Sequence, residues 1–395
     1  MSTLYKYTFF LFFILTIQGC VNKTQQILTI HNNIDLVRES ETVTINRNQL
    51  NGSLQENFEN LVLKELESNK NITIQYIDKN KDGIKDVLLF QPKMLTNQSK
   101  RLILTVNTEK ADKTLNDTIS FSRFVPERLD DFAWENDKVA FRTFGPKSKE
   151  ITEKGIKGGA ISSGIDCWLK RVEYPILNKW YKKHTNGTGD YHKDTGEGVD
   201  NYHVGGSLGC GGVGVFKDSL LLTSANFNGY LELESGAIQT RFELLYDSWN
   251  TGDSRVSEVK KISLNKGSHL TRFELVFDKE VKRLVTGFPI EKDNEGLENN
   301  KNDGWFSLWR NHADSELGLG IVIDPKYIDN HFEYHSEEKD KSHFFIQLKP
   351  INNKVVYYAG FGWKKSKSFT TKNDWVAYLK QFSDQLKTPI LVTLE

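Results

Sequence analysis

Residues 230–249 read YLELESGAIQTRFELLYDSW, in which apolar and polar residues alternate on both sides of Ser235 and Gly236. Alternation with a period of two is typical of β-strands that are buried on one face, and a serine–glycine pair marks a turn. From residue 213 onward, strand-like segments follow one another without the alternating helices of βαβ units. The pattern therefore predicts an antiparallel β-sandwich.

The end of the chain departs from this strand pattern. After Asn373 the apolar residues recur at helical spacing, so we predict a C-terminal helix that is capped by Asn373 and packs on the sheets. The apolar residues of this helix are Trp375, Tyr378, Leu379, Phe382 and Leu386. The final segment, PILVTL, is apolar and predicts a closing strand.

Residues 26–109 contain shorter strand-like segments bounded by turn residues, namely TVTINRN, NITIQYID, KDVLLFQP and KRLILTVN. They predict a small N-terminal β-sandwich domain. Between the first two, the segment LQENFENLVLKELES could place Leu54, Phe58 and Leu61 on one helical face. A helix is therefore an open alternative for this segment. We thus expect a mainly β protein with a small domain at 26–109 and a large β-sandwich catalytic domain at 110–395.

Composition limits the classes of partner. The chain has 395 residues, 38% of them hydrophobic and 12% aromatic, which is enough for a folded protein with an ample core. Lys and Arg together number 52, and so do Asp and Glu, so the net charge is zero. No overall positive field favours nucleic acid, and an anionic substrate must be held by local charges.

Residues 1–20 are typical of an export signal. Lys6 precedes the apolar run TFFLFFILTI, and Gly19 and Cys20 follow it. A basic start, a short apolar middle and a small residue before the cleavage point define a secretory signal peptide, and the run is short for a membrane span. The Gly-Cys ending resembles the bacterial lipobox. We therefore predict an exported protein that touches the outer membrane only through a lipid on Cys20 and faces the periplasm or the cell surface.

Two cysteines, Cys167 and Cys210, remain after Cys20. Export permits a disulfide between them, and such a bridge would tie two chemically rich segments together. Sequence does not supply the Cα separation that a bridge requires. A disulfide and two buried free thiols are therefore both open.

The segment DKNKDGIKD, residues 78–86, resembles the first part of a calcium-binding loop. Position six is Gly83, but position twelve is Leu89, where a bidentate glutamate is expected. The alternative is a hairpin turn rich in Asp and Asn. A calcium ion here would be structural, and the chemistry itself requires no cofactor. The oxygen-bearing residues of the loop are Asp78, Asn80, Asp82 and Asp86.

Residues 191–212, YHKDTGEGVDNYHVGGSLGCGG, are the part of the chain densest in groups that move protons. They contain two histidines, two tyrosines, three acids and seven glycines, and glycine lets the backbone approach a ligand closely. Ligand types for a metal occur at His192, Asp194, Glu197 and Asp200, but their spacing matches no zinc or calcium pattern. Acid/base chemistry fits better, and the segment is predicted to form the floor of an active site.

Two strand-like segments carry candidate binding residues. In KVAFRTFGP, alternation places Arg142 and Phe144 on one face. An arginine between aromatic residues within a strand is either a satisfied core pair or an anion clamp. In GIDCWLKR, Asp166, Trp168 and Lys170 share a face, which is typical of a sugar platform. The alternative is a half-exposed strand with a surface ion pair. Arg128, next to a pair of acids, is interpreted mainly as a surface ion pair.

The order of DKNKDGIKD, FRTFGP, SGIDCWLKR, WYKK, the segment at 191–212 and AGFGWKKSKSFTTKNDWVAYLKQFSDQLKTPI resembles an exported bacterial family filed as domain of unknown function 4861. The likeness is greatest to its ulvan oligosaccharide dehydratase branch in marine Bacteroidetes. It implies removal of water across C4 and C5 of a non-reducing-end glucuronate or iduronate, with an acidic sulfated oligosaccharide as substrate. A lyase, a sulfatase and an unsaturated glucuronyl hydrolase would be pathway partners.

That chemistry needs a base for the C5 proton, an acid for the leaving hydroxyl and a cation to neutralise the carboxylate. A polysaccharide lyase has the same requirements, and a non-catalytic sugar-binding lipoprotein is a further alternative. We assign the base to His203 or His192, because the usual pKa of histidine lies near the working pH. The other assignments are Tyr202 or Tyr191 as acid, Arg142 and Lys170 on the carboxylate with Arg241 in reserve, Trp168 stacked on the sugar, and Asp166 and Asp200 orienting the bases.

Overall fold

The structure is a computed structural model that describes residues 24–107, 118–291 and 296–395. The predicted signal peptide with its lipidation site at Cys20 lies outside the described residues, and so does the predicted boundary between residues 109 and 110. Within the described part, the chain is mainly β and antiparallel with a C-terminal helix, as predicted.

The secondary-structure elements fall into three consecutive groups. The first is β1 (Gln25–His31), β2 (Val43–Asn46), α1 (Gly52–Glu56), β3 (Leu61–Glu65), β4 (Asn71–Ile72), β5 (Ile74–Ile77), β6 (Val87–Phe90) and β7 (Ser99–Val106). The second is β8 (Phe121–Val125), β9 (Asp131–Glu135), β10 (Ala140–Thr143), α2 (Pro146–Glu153), β11 (Asp166–Lys170), α3 (Leu177–Thr185) and β12 (Gly198–Val199). The third is β13 (Val213–Lys217), β14 (Leu220–Leu222), β15 (Gly229–Glu234), β16 (Gln239–Asn250), β17 (Arg255–Asn265), β18 (Leu270–Phe277), β19 (Leu284–Pro289), β20 (Leu297–Asn300), β21 (Trp305–His312), β22 (Ser315–Ile323), β23 (Ile328–Tyr334), β24 (His343–Leu348), β25 (Lys354–Trp363), α4 (Lys372–Lys387) and β26 (Leu391–Leu394).

The main body is a sandwich of antiparallel sheets. One layer is the large sheet, an eight-stranded sheet in the order β15-β16-β17-β18-β25-β22-β21-β20. The other layer consists of two five-stranded sheets, ordered β12-β11-β10-β9-β8 and β14-β13-β19-β24-β23. Strand β17 shows why they pack: every second residue from Val256 to Leu264 is buried, so one face of the large sheet supplies one wall of the core.

The N-terminal part is built from two smaller sheets with their own core. Their strand orders are β26-β1-β7-β3-β4 and β2-β6-β5. The last strand of the chain pairs with the first, with Leu394 opposite Leu28. Gln75 joins this part to the sandwich, because its side chain accepts hydrogen bonds from the backbone of Ile238 and Gln239 and donates one to the Gln239 carbonyl.

The helix considered between Leu54 and Leu66 is mostly absent. Helix α1 ends at Glu56, and Leu61–Glu65 is strand β3, which pairs with β7. The side chains of Leu61 and Leu63 enter the N-terminal core from this strand. Pairing with β7, a segment about 40 residues further along, overrides the local helical spacing.

The C-terminal helix forms as predicted, but its cap differs. The cap is Thr371, whose hydroxyl accepts a hydrogen bond from the Asp374 amide while the Asp374 carboxylate accepts one from the Thr371 amide. This reciprocal pair is a capping box. Asn373, the predicted cap, lies inside the helix. Trp375 and Leu379 pack on the outer face of the large sheet. Over the described ranges, no helix has both the length and the apolar character needed to cross a bilayer.

Candidate functional site

The segment at 191–212 crosses the edge of the β8–β12 sheet mainly as turns, with strand β12 as its regular part. Two glycines permit its close contacts. A Cβ on Gly198, which has a φ of 137°, would lie 2.1 Å from the Leu169 carbonyl oxygen, and one on Gly209 would lie 2.2 Å from the Ile165 oxygen. No other residue type fits these two positions without moving the chain.

The predicted facial alternation of the two site strands is confirmed. Phe141, Cys167 and Leu169 face the core of the sandwich, and Trp168 faces a second core under α3. Both faces of the sheet are therefore buried, which the alternation of the sequence did not predict.

Arg142 lies at the centre of a buried charge cluster. Its Nε and Nη2 atoms lie 3.0 and 2.5 Å from Asp166 Oδ2, and Nη2 lies 3.1 Å from Asp200 Oδ2. Its Nη1 atom lies 3.7 Å from Asp131 Oδ2. All four residues are at most 5% exposed. One cation thus faces three carboxylates, and the cluster favours uptake of a proton.

The pKa values of all three carboxyl groups are raised accordingly. Burial raises the pKa of Asp131 to about 6, although Arg142 opposes it. Burial, followed by the nearby Asp200, raises the pKa of Asp166 to about 7, and burial also raises the pKa of Asp200. Burial lowers the pKa of Arg142, but the three carboxylates outweigh it and hold that pKa well above its usual value. Acids that titrate near neutrality are suited to proton transfer.

The cluster is incompletely hydrogen-bonded within the described chain. Both oxygens of Asp131, Oδ1 of Asp166 and Nη1 of Arg142 are buried without a hydrogen bond of ordinary geometry, and so is the hydroxyl of Tyr181. Buried polar atoms are normally satisfied, so such a group of exceptions is typical of a functional site.

His192 connects this cluster to the surface. Its side chain is 52% exposed, and its Nδ1 atom lies 2.7 Å from the carbonyl oxygen of Asp200. A carbonyl only accepts, so Nδ1 carries the proton and Nε2 has the free lone pair. The Tyr191 ring lies 4.6 Å from the His192 ring and 4.2 Å from that of His184. The arrangement places a half-exposed imidazole beside a nearly buried phenol.

A strained turn places Arg128 next to these groups. The two residues after it, Leu129 and Asp130, have φ angles of 54° and 61°, a region that costs a non-glycine residue about 1–3 kcal/mol. Arg128 Nε lies 3.4 Å from the Tyr191 hydroxyl oxygen, and its Nη1 is buried without a hydrogen bond to any described residue. The turn therefore holds a guanidinium beside Tyr191 with one nitrogen that has no hydrogen-bond acceptor in the described chain, and its charge also acts on Asp131 and Asp200.

Two predicted substrate contacts are wrong because both side chains are fully buried. Trp168 is 0% exposed and packs between Tyr181 and Tyr191, each with a ring separation of 4.8 Å. Lys170 is also 0% exposed and donates all three of its protons inside the protein. Its acceptors are Glu135 Oε2 at 2.9 Å, the Asn136 carbonyl at 2.8 Å and the Tyr174 carbonyl at 3.0 Å.

The second predicted pair divides between core and surface. His203 is 60% exposed, and its Nε2 atom lies 3.1 Å from Asp340 Oδ1. Tyr202 points the opposite way and lies in the sandwich core at 6% exposure. Burial raises the pKa of the Tyr202 hydroxyl well above its usual value. Tyr202 and Tyr191 are both nearly buried, at 6% and 5% exposure, but Tyr202 lies in the sandwich core and Tyr191 in the core under α3. The assignment of Tyr202 as proton donor stays a prediction, and His203 lies apart from the Arg142 cluster.

Arg241 is not part of this cluster either. It lies on β16 of the large sheet, in the opposite layer of the sandwich, with its Nη1 atom 3.1 Å from Glu234 Oε2 and 3.4 Å from the Asp78 carbonyl. Its predicted reserve role at the same carboxylate as Arg142 is wrong, because strand alternation turns it toward the N-terminal part.

The loop at residues 78–86 has the hydrogen bonds of an Asx-rich turn. Asp78 accepts from the amides of Lys81 and Gly83 at 2.6 and 2.8 Å, and Asp86 accepts from the Lys79 amide at 2.7 Å. Asp82 accepts from the Asn80 side chain and from the Ile84 amide. No three His, Cys, Asp or Glu side chains converge on a metal position in the described ranges. The geometry favours the turn, and calcium stays a prediction.

Cys167 and Cys210 are both buried free thiols in this structure. The segments that carry them are in contact, since the Cys210 amide donates to the Ile165 carbonyl at 2.9 Å. Burial, together with the neighbouring Cys210 thiol, raises the pKa of Cys167 well above its usual value. The two thiols are therefore neighbours, and the disulfide alternative stays a prediction.

Four contributors to the site were not predicted from the sequence. Asp131 and His184 lie in no recognised motif, Tyr181 lies in WYKK without an assigned role, and Arg128 is interpreted as a surface ion pair. A local signal exists for Asp131 and Arg128. Asp131 begins the strand DFAWE, which is buried throughout, and Arg128 lies three residues before it. Nothing local links them to residues 166 and 200.

A mainly β sandwich whose site combines buried acids, an arginine and an exposed histidine defines a class of protein suited to acid/base chemistry. The chain belongs to the family described as Domain of unknown function (DUF4861), whose model matches residues 30–392. It is 41% identical over 372 residues to "Uncharacterized protein P7" of Formosa agariphila, covering 94% of this chain and 93% of that protein.

Two solved structures show a weak similarity. A protein in glycosyl hydrolase family 38 from Enterococcus faecalis has a TM-score of 0.42 and 9% identity, covering 94% of this chain and 48% of that one. An alpha-mannosidase from Enterococcus faecalis V583 has a TM-score of 0.40 and 9% identity, covering 94% and 46%. This chain spans about half the length of those structures. At these scores, neither similarity bears on fold or activity.

Proposed function

We propose that the protein is a carbohydrate dehydratase that acts at His192. The observation that carries this proposal is the tautomer of His192: Nδ1 donates to the Asp200 carbonyl, which leaves Nε2 as a base on a half-exposed ring. An imidazole nitrogen with a free lone pair is the usual general base of enzymes. The resemblance to the ulvan dehydratase branch suggests a uronate as the substrate.

Arg128 supplies the neutralising cation. The C5 proton of a uronate is acidic only when the charge of the adjacent carboxylate is masked. Arg128 Nη1 has no acceptor among the described residues, and a substrate carboxylate would provide one. This assignment replaces Lys170, whose protons are all donated within the fold, and Arg142, whose guanidinium faces three carboxylates of its own chain.

Tyr191 is the proposed acid; its ring is 5% exposed and lies 4.6 Å from the His192 ring. Its hydroxyl oxygen lies 3.4 Å from Arg128 Nε, so the cation would stabilise the phenolate left after proton transfer. In the proposed step, His192 Nε2 takes the C5 proton and the C5–H electron pair forms the C4–C5 double bond. The C4 hydroxyl leaves with the Tyr191 proton as water. Proton return from His192 to Tyr191, directly or through solvent, restores the resting state.

The buried acids act as positioning groups. Asp200 holds the His192 ring through its carbonyl, while its carboxylate is held by Arg142 at 3.1 Å. Asp166 and Asp131 share the same arginine. The predicted orienting role of Asp166 and Asp200 thus extends, in this proposal, to a set of three acids around Arg142.

Mass spectrometry of an ulvan oligosaccharide with a glucuronate at its non-reducing end tests the reaction class. We expect a product lighter by one water, with unchanged chain length and a new ultraviolet band, and no product with His192→Asn. Shortened chains would indicate a lyase instead. Saturable binding without any new product would indicate a sugar-binding protein and would overturn the dehydratase proposal.

A further inference from the structure

A cleft runs between the N-terminal part and the outer face of the large sheet, in the layer opposite His192. It has two compartments of about 540 and 390 Å³. The compartments adjoin each other, because both are lined by Thr42, Gln239, Ser263, Asn265 and Arg272. Each volume falls in the range of roughly 300–1,000 Å³ that is usual for ligand sites.

The larger compartment offers aromatic rings and unpaired polar groups. Tyr358 and Phe382, both half-buried, meet edge to face at 5.1 Å along one wall. The side chains of Ser263, Gln381 and Gln385 also line it, and none of the three makes a hydrogen bond among the described residues. Aromatic faces cover apolar ring surfaces, and free hydroxyls and amides satisfy hydroxyl groups. Together these groups are suited to a sugar ring.

The smaller compartment carries an excess of positive charge, although the whole chain is neutral. Its cationic side chains outnumber its acidic ones by five to two. Arg272 lies 2.8 Å from Glu274, while Lys261 is 41% exposed and lies 3.9 Å from that same acid. Lys81 and Arg241 are paired with Glu243 and Glu234. The positive charge left for a ligand therefore comes from Lys79 and from the two cations, Lys261 and Arg272, that share one acid. The cations are Lys79, Lys81, Arg241, Lys261 and Arg272, and the acids are Glu243 and Glu274.

We propose that this cleft is a second saccharide-binding site, specific for an acidic oligosaccharide. A neutral sugar unit lies against Tyr358 and Phe382, and a carboxylate or sulfate of the adjoining unit lies against Lys261 and Arg272. Because Arg272 lines both compartments, it is the contact at the junction of the two units. The site makes no bond and breaks none, and it does not depend on the reaction proposed for His192.

Isothermal titration with hyaluronan and chondroitin sulfate tetrasaccharides, in which uronate and neutral sugars alternate, tests this site in the full chain. We expect saturable binding of at least one of the two that weakens with salt, and none of neutral chitotetraose. The His192→Asn protein should bind equally well, which separates this site from the catalytic proposal.

Variants of the cleft identify the contacts. We expect Lys261→Ala and Gln381→Ala each to weaken binding by about tenfold, as loss of one hydrogen bond to a charged or polar ligand group predicts. Their matched controls are Lys279→Ala, exposed in the connection between β18 and β19, and Asn373→Ala, exposed on the same helix as Gln381. All four positions are at the surface or half-buried, so folding is retained. Absence of binding by both acidic tetrasaccharides, equal binding of chitotetraose, or cleft variants that behave like their controls would overturn the proposal.

Discussion

The Nδ1 atom of His192 lies 2.7 Å from the carbonyl oxygen of Asp200. The carboxylate of Asp200 is 2% exposed and hydrogen-bonded to Arg142. A surface imidazole is thereby attached to a buried charge cluster through one residue. Changes inside the cluster should consequently reach the reactivity of the histidine.

The two histidines should differ sharply in their effect on rate. We expect His192→Asn, which can keep a donor toward the Asp200 carbonyl, to lower kcat by about 10²-fold or more, the usual contribution of a general base. His203→Asn should leave kcat within about twofold, because His203 pairs with Asp340 away from the cluster. Steady-state rates of ultraviolet product formation measure both. Full activity of both variants would remove histidine from the mechanism.

Asp131 should make stability depend on pH. The rise of its pKa from 3.8 to about 6 means that the folded state keeps a proton that the unfolded chain releases near pH 4. The free energy of unfolding should therefore fall as pH rises from about 4 to about 6, by roughly 3 kcal/mol from this group. Asp131→Asn should flatten that part of the profile. Urea unfolding of both proteins across this pH range measures the difference, and identical slopes would contradict it.

Removal of Arg142 should be severe. Arg142→Met leaves three buried carboxylates without their cation, and breaking a buried pair in this way costs about 3–5 kcal/mol. Arg171→Met is the matched control, because Arg171 pairs with the partly exposed Asp194 and should cost less than about 1 kcal/mol. The loss in the Arg142 variant should shrink at lower pH, where the carboxylates are protonated. Equal losses in the two variants would contradict a buried cluster.

Trp168 and Lys170 should affect stability and not sugar binding. Trp168→Ala removes a buried indole, which costs about 3–5 kcal/mol, whereas Trp168→Phe should recover part of that loss. Lys170→Met leaves Glu135 accepting from the amides of Ile176 and Leu177, so the protein should fold with reduced stability. Denaturant midpoints and KM, measured below the unfolding transition, separate the two effects. A raised KM at full stability would restore the sugar-platform interpretation.

The cap of α4 offers a direct comparison of sequence and structure. Thr371→Ala should lower the free energy of unfolding by about 1 kcal/mol, because it removes one half of the capping box. Asn373→Ala, at the cap predicted from sequence, should change it little or raise it slightly, since alanine is the better helix former inside a helix. The reverse order of effects in thermal unfolding would place the cap at Asn373.

Local periodicity predicted a large share of the fold. The alternation in β11 placed Asp166, Trp168 and Lys170 on one face, and the structure puts Trp168 in the core under α3 and Cys167 in the sandwich core. This succeeds because adjacent side chains on a strand must point in opposite directions. The C-terminal helix succeeded in the same way, through its 3.6-residue spacing.

Burial was the property that periodicity did not supply. Trp168 and Lys170 share the predicted face, but α3 and the turn at Tyr191 cover it. Lys170 on β11 forms an ion pair with Glu135 on β9, which is 35 positions away in sequence. No local pattern distinguishes a face open to a sugar from one covered by a helix further along the chain.

The amino-acid sequence by itself determined the strands, the faces of their side chains, the C-terminal helix and the density of proton-moving groups at 191–212, because each follows from residues within a few positions of one another. Tertiary structure alone decided which distant residues come into contact. Thr29 and Glu395, 366 positions apart, share a hydrogen bond of 2.7 Å. Asp131, Arg142, Asp166 and Asp200 likewise come from three strands and a turn. Contacts of this kind form only when separate segments pack together, and the free energy of that packing depends on the whole core.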